Sequence, residues 1–323
     1  MGPLRRVPKE RMNIQEHIDL KPYTYFKIGG QARYFIEVKH EDELKEALAF
    51  AKKKKVPYFV IGAASNILVS DAGFPGLVIR MMLRDIAVDG TRVLAGAGVP
   101  NAVLVARTIT AGLLGFEWAI GIPGSIGGSV RGNAGCFSGE MKDVVEGVRF
   151  LNTKTGKLEE RDNAFCRFSY RESIFKSSPH FVITAVALGL RRGDTELVQR
   201  MVRHYTRERS RHQDIGVSSA GCIFKNVSWP KSETARRRLI SLVPQLMEFS
   251  SWPTIPAAFL IDHLGLKGKT IGKASVSKKH ANFVVNEGGA RAEDIVMLVG
   301  LIKEYVHRKY DLHLEEEIQY VGF

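Results

Sequence analysis

Apolar positions recur along the chain with more than one period, and the changes of period mark its elements. Residues 33–38 (Arg-Tyr-Phe-Ile-Glu-Val) read as a strand. From Glu41 the apolar residues shift to helical spacing, with Leu44, Ala47, Leu48 and Ala51 at i, i+3, i+4 and i+7. Acids at the start of this helix and Lys52 to Lys55 at its end suit the helix dipole. A short apolar run, 58–61, predicts a buried strand; a small-residue turn, 62–66, follows, and a second apolar run spans 77–79. Beyond residue 85, Ile86-Ala-Val88 and Val93-Leu-Ala95 flank Asp89-Gly90, a hairpin signal because Asp-Gly accepts a tight primed turn. A helix is expected over 101–112, a strand pair around Thr153–Gly156, and a strand within the apolar run Phe181–Leu190. Gly193-Asp194-Thr195 marks a helix start, after which Leu197, Val198, Met201, Val202 and Tyr205 share one face. The most regular helix is the last, carrying Ile295, Leu298, Val299, Ile302 and Val306.

The order is an α/β block, a β-rich block and an α+β block, with a boundary near 195–215. At 323 residues the chain exceeds the ~250–300 at which a single core stops growing, so two or three domains are expected. The boundaries expected are 1–82, 83–195 and 205–310, with 311–323 returning to the first block.

Composition narrows the classes. With 45% hydrophobic and 25% charged residues the chain is an ordinary globular one. Three cysteines (Cys136, Cys166, Cys222) are too few for a disulfide framework. The basic N-terminus lacks the apolar core of a secretory leader, and no window approaches the ~20 apolar residues of a membrane helix. The expectation is a cytoplasmic protein with free thiols. A net charge of +13 invites an anionic partner without saying which. Nucleic acid is one candidate, but no stretch interleaves aromatic and basic residues.

Several motifs fail on inspection. Gly265-Leu-Lys-Gly-Lys-Thr270 has His263 where a P-loop needs its first glycine, and Gly96-Ala-Gly98 has Asn101 where a dinucleotide fingerprint needs its third. There is no zinc-binding His-Glu-x-x-His and no Gly-x-Ser-x-Gly elbow, so no metal is expected. Two small-residue loops survive. One is Gly62-Ala63-Ala64-Ser65-Asn66, directly after a strand; the other runs from Gly121 through Pro123, Gly124 and Ser125 to Gly128, and on to Asn133-Ala-Gly135. Missing side chains let backbone N–H groups approach a phosphate, and Ser or Asn adds hydrogen bonds. Tight turns in a β-rich domain would leave the same composition.

Further marks extend over most of the chain: Phe26-Lys-Ile-Gly-Gly30, Leu68-Val-Ser-Asp71, Phe168-Ser-Tyr-Arg-Glu-Ser-Ile-Phe-Lys176, Ser219-Ala-Gly-Cys-Ile-Phe-Lys-Asn226, Leu260-Ile-Asp262, Gly265-Leu-Lys-Gly268, His280-Ala-Asn-Phe283 and Leu314-Glu-Glu-Glu-Ile318. With the two loops, in this order, the chain resembles the UDP-N-acetylenolpyruvoylglucosamine reductases, also called UDP-N-acetylmuramate dehydrogenases, flavoenzymes of peptidoglycan precursor synthesis. The resemblance implies an α+β fold: a two-part FAD-binding module of the vanillyl-alcohol-oxidase (PCMH) type, then an α+β substrate domain. It implies non-covalent FAD, NADPH as co-substrate, a small-molecule substrate and a monomer, with neither nucleic acid nor membrane as partner. Residues 185–200 leave no room for the tyrosine-bearing loop of one subtype, which implies the shorter one.

The family reduces an enolpyruvyl double bond. Hydride addition at the methylene carbon leaves negative charge at the carbon bearing the carboxylate, so a cation and a proton donor are needed. The family motifs put Arg171 at the first task with Glu317 as a proton-sharing partner, and Tyr170, Lys225 and Asn226 at the substrate, Lys225 facing its diphosphate. The cofactor residues implied are Gly62, Ala63, Ala64, Ser65, Asn66, Gly121, Pro123, Gly124, Ser125 and Gly128.

Three departures stand out. Cys222 occupies the position where the family carries a serine proton donor, and a thiol is the stronger acid. About thirty residues, roughly 228–255, separate Asn226 from Ala257 where the family has a short link, and they read as an inserted helix. Ala63 and Ala64 replace glycines, which requires φ below zero there. The alternative on the same fold is an FAD-dependent oxidase of a sugar or alcohol, with Cys136 the residue placed for covalent attachment.

Overall fold

The computed structural model describes residues 12–214 and 216–323. The basic stretch Met1–Arg11, read above for a leader, lies outside the described residues. The chain forms two compact units. The first holds the described residues up to Asp19, Gln31–Ala64 and Phe74–Arg211; the second holds Leu20–Gly30, Ser65–Gly73 and His212–Phe323. Most of the first two sequence blocks therefore share one unit, and two short segments of them belong to the other.

The first unit is built on two larger sheets. Gln31–Val38, Phe74–Met81 and Tyr58–Ile61 pair in parallel, and Gln15–Asp19 adds an antiparallel edge. The helix Glu41–Lys54 makes the crossover and buries Leu44, Ala47 and Ala51, as the apolar spacing requires. Leu77, Val78 and Ile79 are all buried, which is why this strand reads as a continuous apolar run. The second sheet is antiparallel, in the order Lys157–Asp162, Val145–Asn152, Phe181–Gly189, Arg92–Gly96, Ile86–Asp89. One apolar cluster runs from Tyr34 to Leu190 and joins both sheets. Within it Arg149, only 8% exposed, pairs with Glu160 at 2.6 Å. The helix expected over 101–112 ends at Thr110, and Gly112 follows at φ 63°. The glycine-rich stretch is not all loop, because Ile126–Arg131 is a short helix.

The second unit is organised by the helix Ala292–Tyr310, which buries Ile295, Leu298, Val299, Ile302 and Val306. The segments 20–30 and 65–73 join it through specific bonds. Gly30 N–H donates to Ser70 O, and Asp71 Oδ2 accepts from Ala292 N–H at the start of the long helix. Gly30 has to be glycine, since a Cβ there would overlap the Asp71 carbonyl. The C-terminal strand Gln319–Val321 pairs in parallel with Ile67–Val69. The segment read as an insertion forms the helix Glu233–Leu242 and the 3-10 turn Pro244–Phe249. Val227–Ser228 pairs with Thr254–Ile255 and closes it at its base. Leu239, Val243 and Leu246 are buried in the unit's core, so the insertion is packed in rather than appended. Among the described residues, no helix is long and apolar enough to cross a membrane.

Candidate active site

In the first unit the two small-residue loops meet. Gly62 faces Ser125 so closely that a Cβ on Gly62 would collide with the Ser125 hydroxyl. Ser125 is 4% exposed and precedes the helix Ile126–Arg131. Its loop is fixed to the end of a sheet strand: Ile126 N–H donates to Val99 O at 2.9 Å and Gly127 N–H to Ala97 O at 3.0 Å. Asn101 N–H donates to Gly124 O, and the Asn101 side chain exchanges hydrogen bonds with buried Ser129. The glycines differ in task. Gly121 and Gly124 lie at φ 72° and 147°, where other residues are strained. Gly127 packs on Ala97, and exposed Gly128 leaves open surface.

Ala64 corrects an expectation. It sits at φ 53° and is buried, although alanine was expected to require φ below zero. The left-handed step of the turn falls on this residue, and the Cβ costs on the order of 1–2 kcal/mol there.

Tyr170 and Arg171 occupy a tight turn in which Ser169 and Glu172 exchange backbone hydrogen bonds. Arg171 has φ 57°; its Nη2 donates to Gly135 O at 3.0 Å, and its guanidinium lies 5.3 Å from the centroid of the half-exposed Tyr170 ring. Asn133 ties this turn to the glycine-rich segment. Fully buried, it donates to Ser169 O and to Glu140 Oε2, and accepts from Lys142 N–H. Burial pulls the nearby Arg131 guanidinium below its usual range, against the opposing pull of the Glu172 carboxylate.

In the second unit, residues 222–226 run between two partners. Cys222 bridges to Phe283 and Phe224 to Glu316. Asn282 locks the middle, accepting from Phe224 N–H through Oδ1 and donating to Phe224 O through Nδ2. Glu317 N–H donates to Ile223 O at 2.7 Å, and Asn66 Nδ2 donates to Glu317 O at 3.1 Å. Cys222, Lys225, Asn226, Glu317 and Asn66 are thus gathered by one backbone ladder, and Cys222 is partly exposed. Lys225 is buried, with Nζ 2.5 Å from Glu315 Oε1. Asn226 Oδ1 accepts from Ala257 N–H and caps the helix Ala257–His263.

The sequence reading missed Asn133 and Asn282 as organisers. Both lie in quoted motifs, and a polar amide amid small or apolar neighbours is the signal that marks them. Among the described residues, no group of three His, Cys, Asp or Glu is arranged to hold a metal.

The residues fit an adenine-dinucleotide flavin on one structural count: beside the Gly62–Ser125 contact, exposed Gly128 leaves open surface on the 121–128 loop, where a Cβ would meet nothing nearer than 3.6 Å. Residues 32–161 also match the FAD binding domain family, so the chain is an α+β protein with an FAD-binding module. Residues 213–321 match the family described as UDP-N-acetylenolpyruvoylglucosamine reductase, C-terminal domain. The enzyme of that name from Synechococcus sp. (strain JA-3-3Ab) is 37% identical over 314 residues, 96% of this chain and 91% of the relative. That from Lactobacillus helveticus is 36% identical and covers 97% of both chains. The crystal structure of UDP-N-acetylenolpyruvylglucosamine reductase from Thermus caldophilus superposes with a TM-score of 0.76 at 33% identity, covering 96% of this chain and all of that one. The chain belongs to the UDP-N-acetylenolpyruvoylglucosamine reductase family.

Proposed function

We propose that this protein reduces UDP-N-acetylglucosamine enolpyruvate to UDP-N-acetylmuramate with NADPH, as a cytoplasmic monomer supplying peptidoglycan precursors. The observation that carries the reading is the near-full-length likeness to the reductases of that name, with the expected motif residues present at Arg171, Lys225, Asn226 and Glu317. Residues 32–161 are the flavin-binding part and residues 213–321 a substrate-binding part, with Tyr170 and Arg171 in the chain between them. Residues 62–66 and 121–128 would hold FAD, which when bound would supply hydride transfer from NADPH to the enolpyruvyl methylene carbon.

The chain's own residues do the rest. The Arg171 fork binds the substrate carboxylate bidentately and offsets the charge that grows beside it. Its left-handed backbone and its bond to Gly135 O fix the guanidinium's direction in advance. Cys222 gives its thiol proton to the carbon bearing the carboxylate. Glu317, held through its own backbone to Ile223, shares protons with that end of the substrate. Lys225 exchanges Glu315 for the substrate diphosphate, a stronger anion for a buried ammonium.

The test is direct. Purified protein should carry a yellow flavin that is released on denaturation. NADPH should bleach it, and the enolpyruvyl substrate should restore it. A flavin that stays attached after denaturation, or one the substrate does not reoxidise, would sink the reading.

A further inference from the structure

Phe137 stands in a conformation that a large side chain seldom adopts. It forms the tip of the hairpin Gly135–Cys136/Gly139–Glu140, where Phe137 and Ser138 both have positive φ, 51° and 65°. For a bulky residue that is an outlier, kept only where the surroundings determine it. The surroundings are specific. The Phe137 ring stacks on Tyr205 at 4.9 Å and 16°, and the Arg209 guanidinium lies 5.4 Å from its centroid. Tyr205 and Arg209 are four residues apart on the helix Thr195–His212, so one helix face grips the hairpin tip. Arg209 is itself held, its Nε donating to Ile120 O at 3.0 Å. At the other side of the hairpin, Gly139 sits against the Trp118 ring, where a Cβ would collide. The base of the same hairpin is Gly135, whose carbonyl accepts from Arg171 Nη2.

We propose that Phe137 is a positioning residue for Arg171: gripped by Tyr205 and Arg209, it sets the hairpin whose Gly135 carbonyl aims the guanidinium at the substrate carboxylate. Phe137 does not touch the reacting atoms. Its effect passes through two backbone steps and belongs to the half-reaction in which substrate takes up hydride and proton. This rests on the reductase reading above.

The experiment uses Phe137→Asn in the full-length holoprotein. Asparagine tolerates positive φ, so the turn keeps or improves its backbone while the ring stack is lost. Flavin reduction by NADPH and reoxidation by the enolpyruvyl substrate are followed separately by stopped-flow absorbance. Reoxidation should slow about tenfold or more, the scale of a displaced positioning group. FAD content, thermal midpoint and the NADPH step should stay near wild type, and Phe137→Tyr should restore reoxidation. Wild-type reoxidation in Phe137→Asn overturns the proposal, and so does an equal fall of both half-reactions with a lower thermal midpoint. A wild-type protein that the substrate does not reoxidise overturns the functional reading and this proposal with it.

Discussion

Gly62→Ala tests whether the two loops form one cradle. Gly62 is not in the left-handed region, so alanine meets no backbone objection and the cost is steric alone. The new Cβ collides with Ser125 Oγ and stands 3.1 Å from Ser125 Cβ. Rotating the hydroxyl away relieves the first contact. The second remains, because Ser125 is buried and its backbone is bonded to the Val99 strand end through Ile126. Overpacking of this kind costs about 1–3 kcal/mol. In a domain of roughly 150–250 residues each kcal/mol moves the thermal midpoint about 2–4 °C. If the cradle seats the cofactor, FAD affinity should fall by about tenfold for each ~1.4 kcal/mol that the displaced loop withholds from binding. The assay is flavin fluorescence on titrating apoprotein, with a thermal melt alongside. Ser125→Gly removes both atoms that the new methyl meets, so the double variant should recover most of the lost thermal midpoint, while FAD affinity also carries the loss of the Ser125 hydroxyl. A Gly62→Ala protein with wild-type affinity and melting refutes the geometry. Failure of Ser125→Gly to recover the thermal midpoint refutes the pairing of the loops.

The remaining predictions are shorter. Cys222→Ser should keep turnover, whereas Cys222→Ala should leave a flavin that NADPH reduces and substrate reoxidises far more slowly; reoxidation of Cys222→Ala at the normal rate removes the thiol from the mechanism. Gly128→Ala places its methyl no nearer than 3.6 Å to Ser125 Oγ in the helix Ile126–Arg131, so the melt should not fall. Any loss of FAD retention by that variant reports on cofactor contact alone, and full retention clears Gly128 from the cofactor surface. His280 should make folding weaker in mild acid. Burial lowers its pKa from 6.5, aided by Lys267 and His212 and opposed by Asp214 and a backbone hydrogen bond. Between the lowered value and 6.5 the unfolded chain binds a proton that the folded chain does not. Stability is therefore full above about pH 6.5 and declines as pH falls through that window. Urea titrations of wild type and His280→Phe from pH 7.5 to 5 should show a steeper decline in wild type; parallel curves would exclude His280.

Elements whose signal is local were legible in the sequence. The strand Tyr58–Ile61, the helix Glu41–Lys54 and the buried face of Ala292–Tyr310 all follow from apolar spacing within a dozen residues. The strand Ile67–Val69 did not stand out, because its partner lies about 250 residues away and three residues carry no period. The same limit hid the membership of Leu20–Gly30 in the second unit, which depends on contacts distant in sequence: Phe26 and Ile28 are buried in that unit's apolar core, and Asn286 Nδ2 donates to Phe26 O. Phe137 went unnoticed, and Tyr205 stood only as one member of a helix face, for another reason: an aromatic residue reads as core, and only the φ of the Phe137 backbone shows that it holds a strained turn.

The glycine-rich loops show where composition points correctly and where it misleads. Richness in small residues drew attention to 62–66 and 121–135, and those loops do meet. Yet the residues are small for unrelated causes. Gly62 makes room for Ser125, Gly127 for Ala97, and Gly139 for Trp118, while Gly121 and Gly124 are needed for φ. Of the glycines predicted to hold the cofactor, exposed Gly128 alone has neither positive φ nor a contact closer than 3.6 Å to explain it. Ala64 makes the converse point, since it accepts a left-handed backbone that glycine would adopt freely. A count of glycines thus sums packing, backbone and binding requirements. Only the residue whose structural need is absent is left to be explained by a ligand.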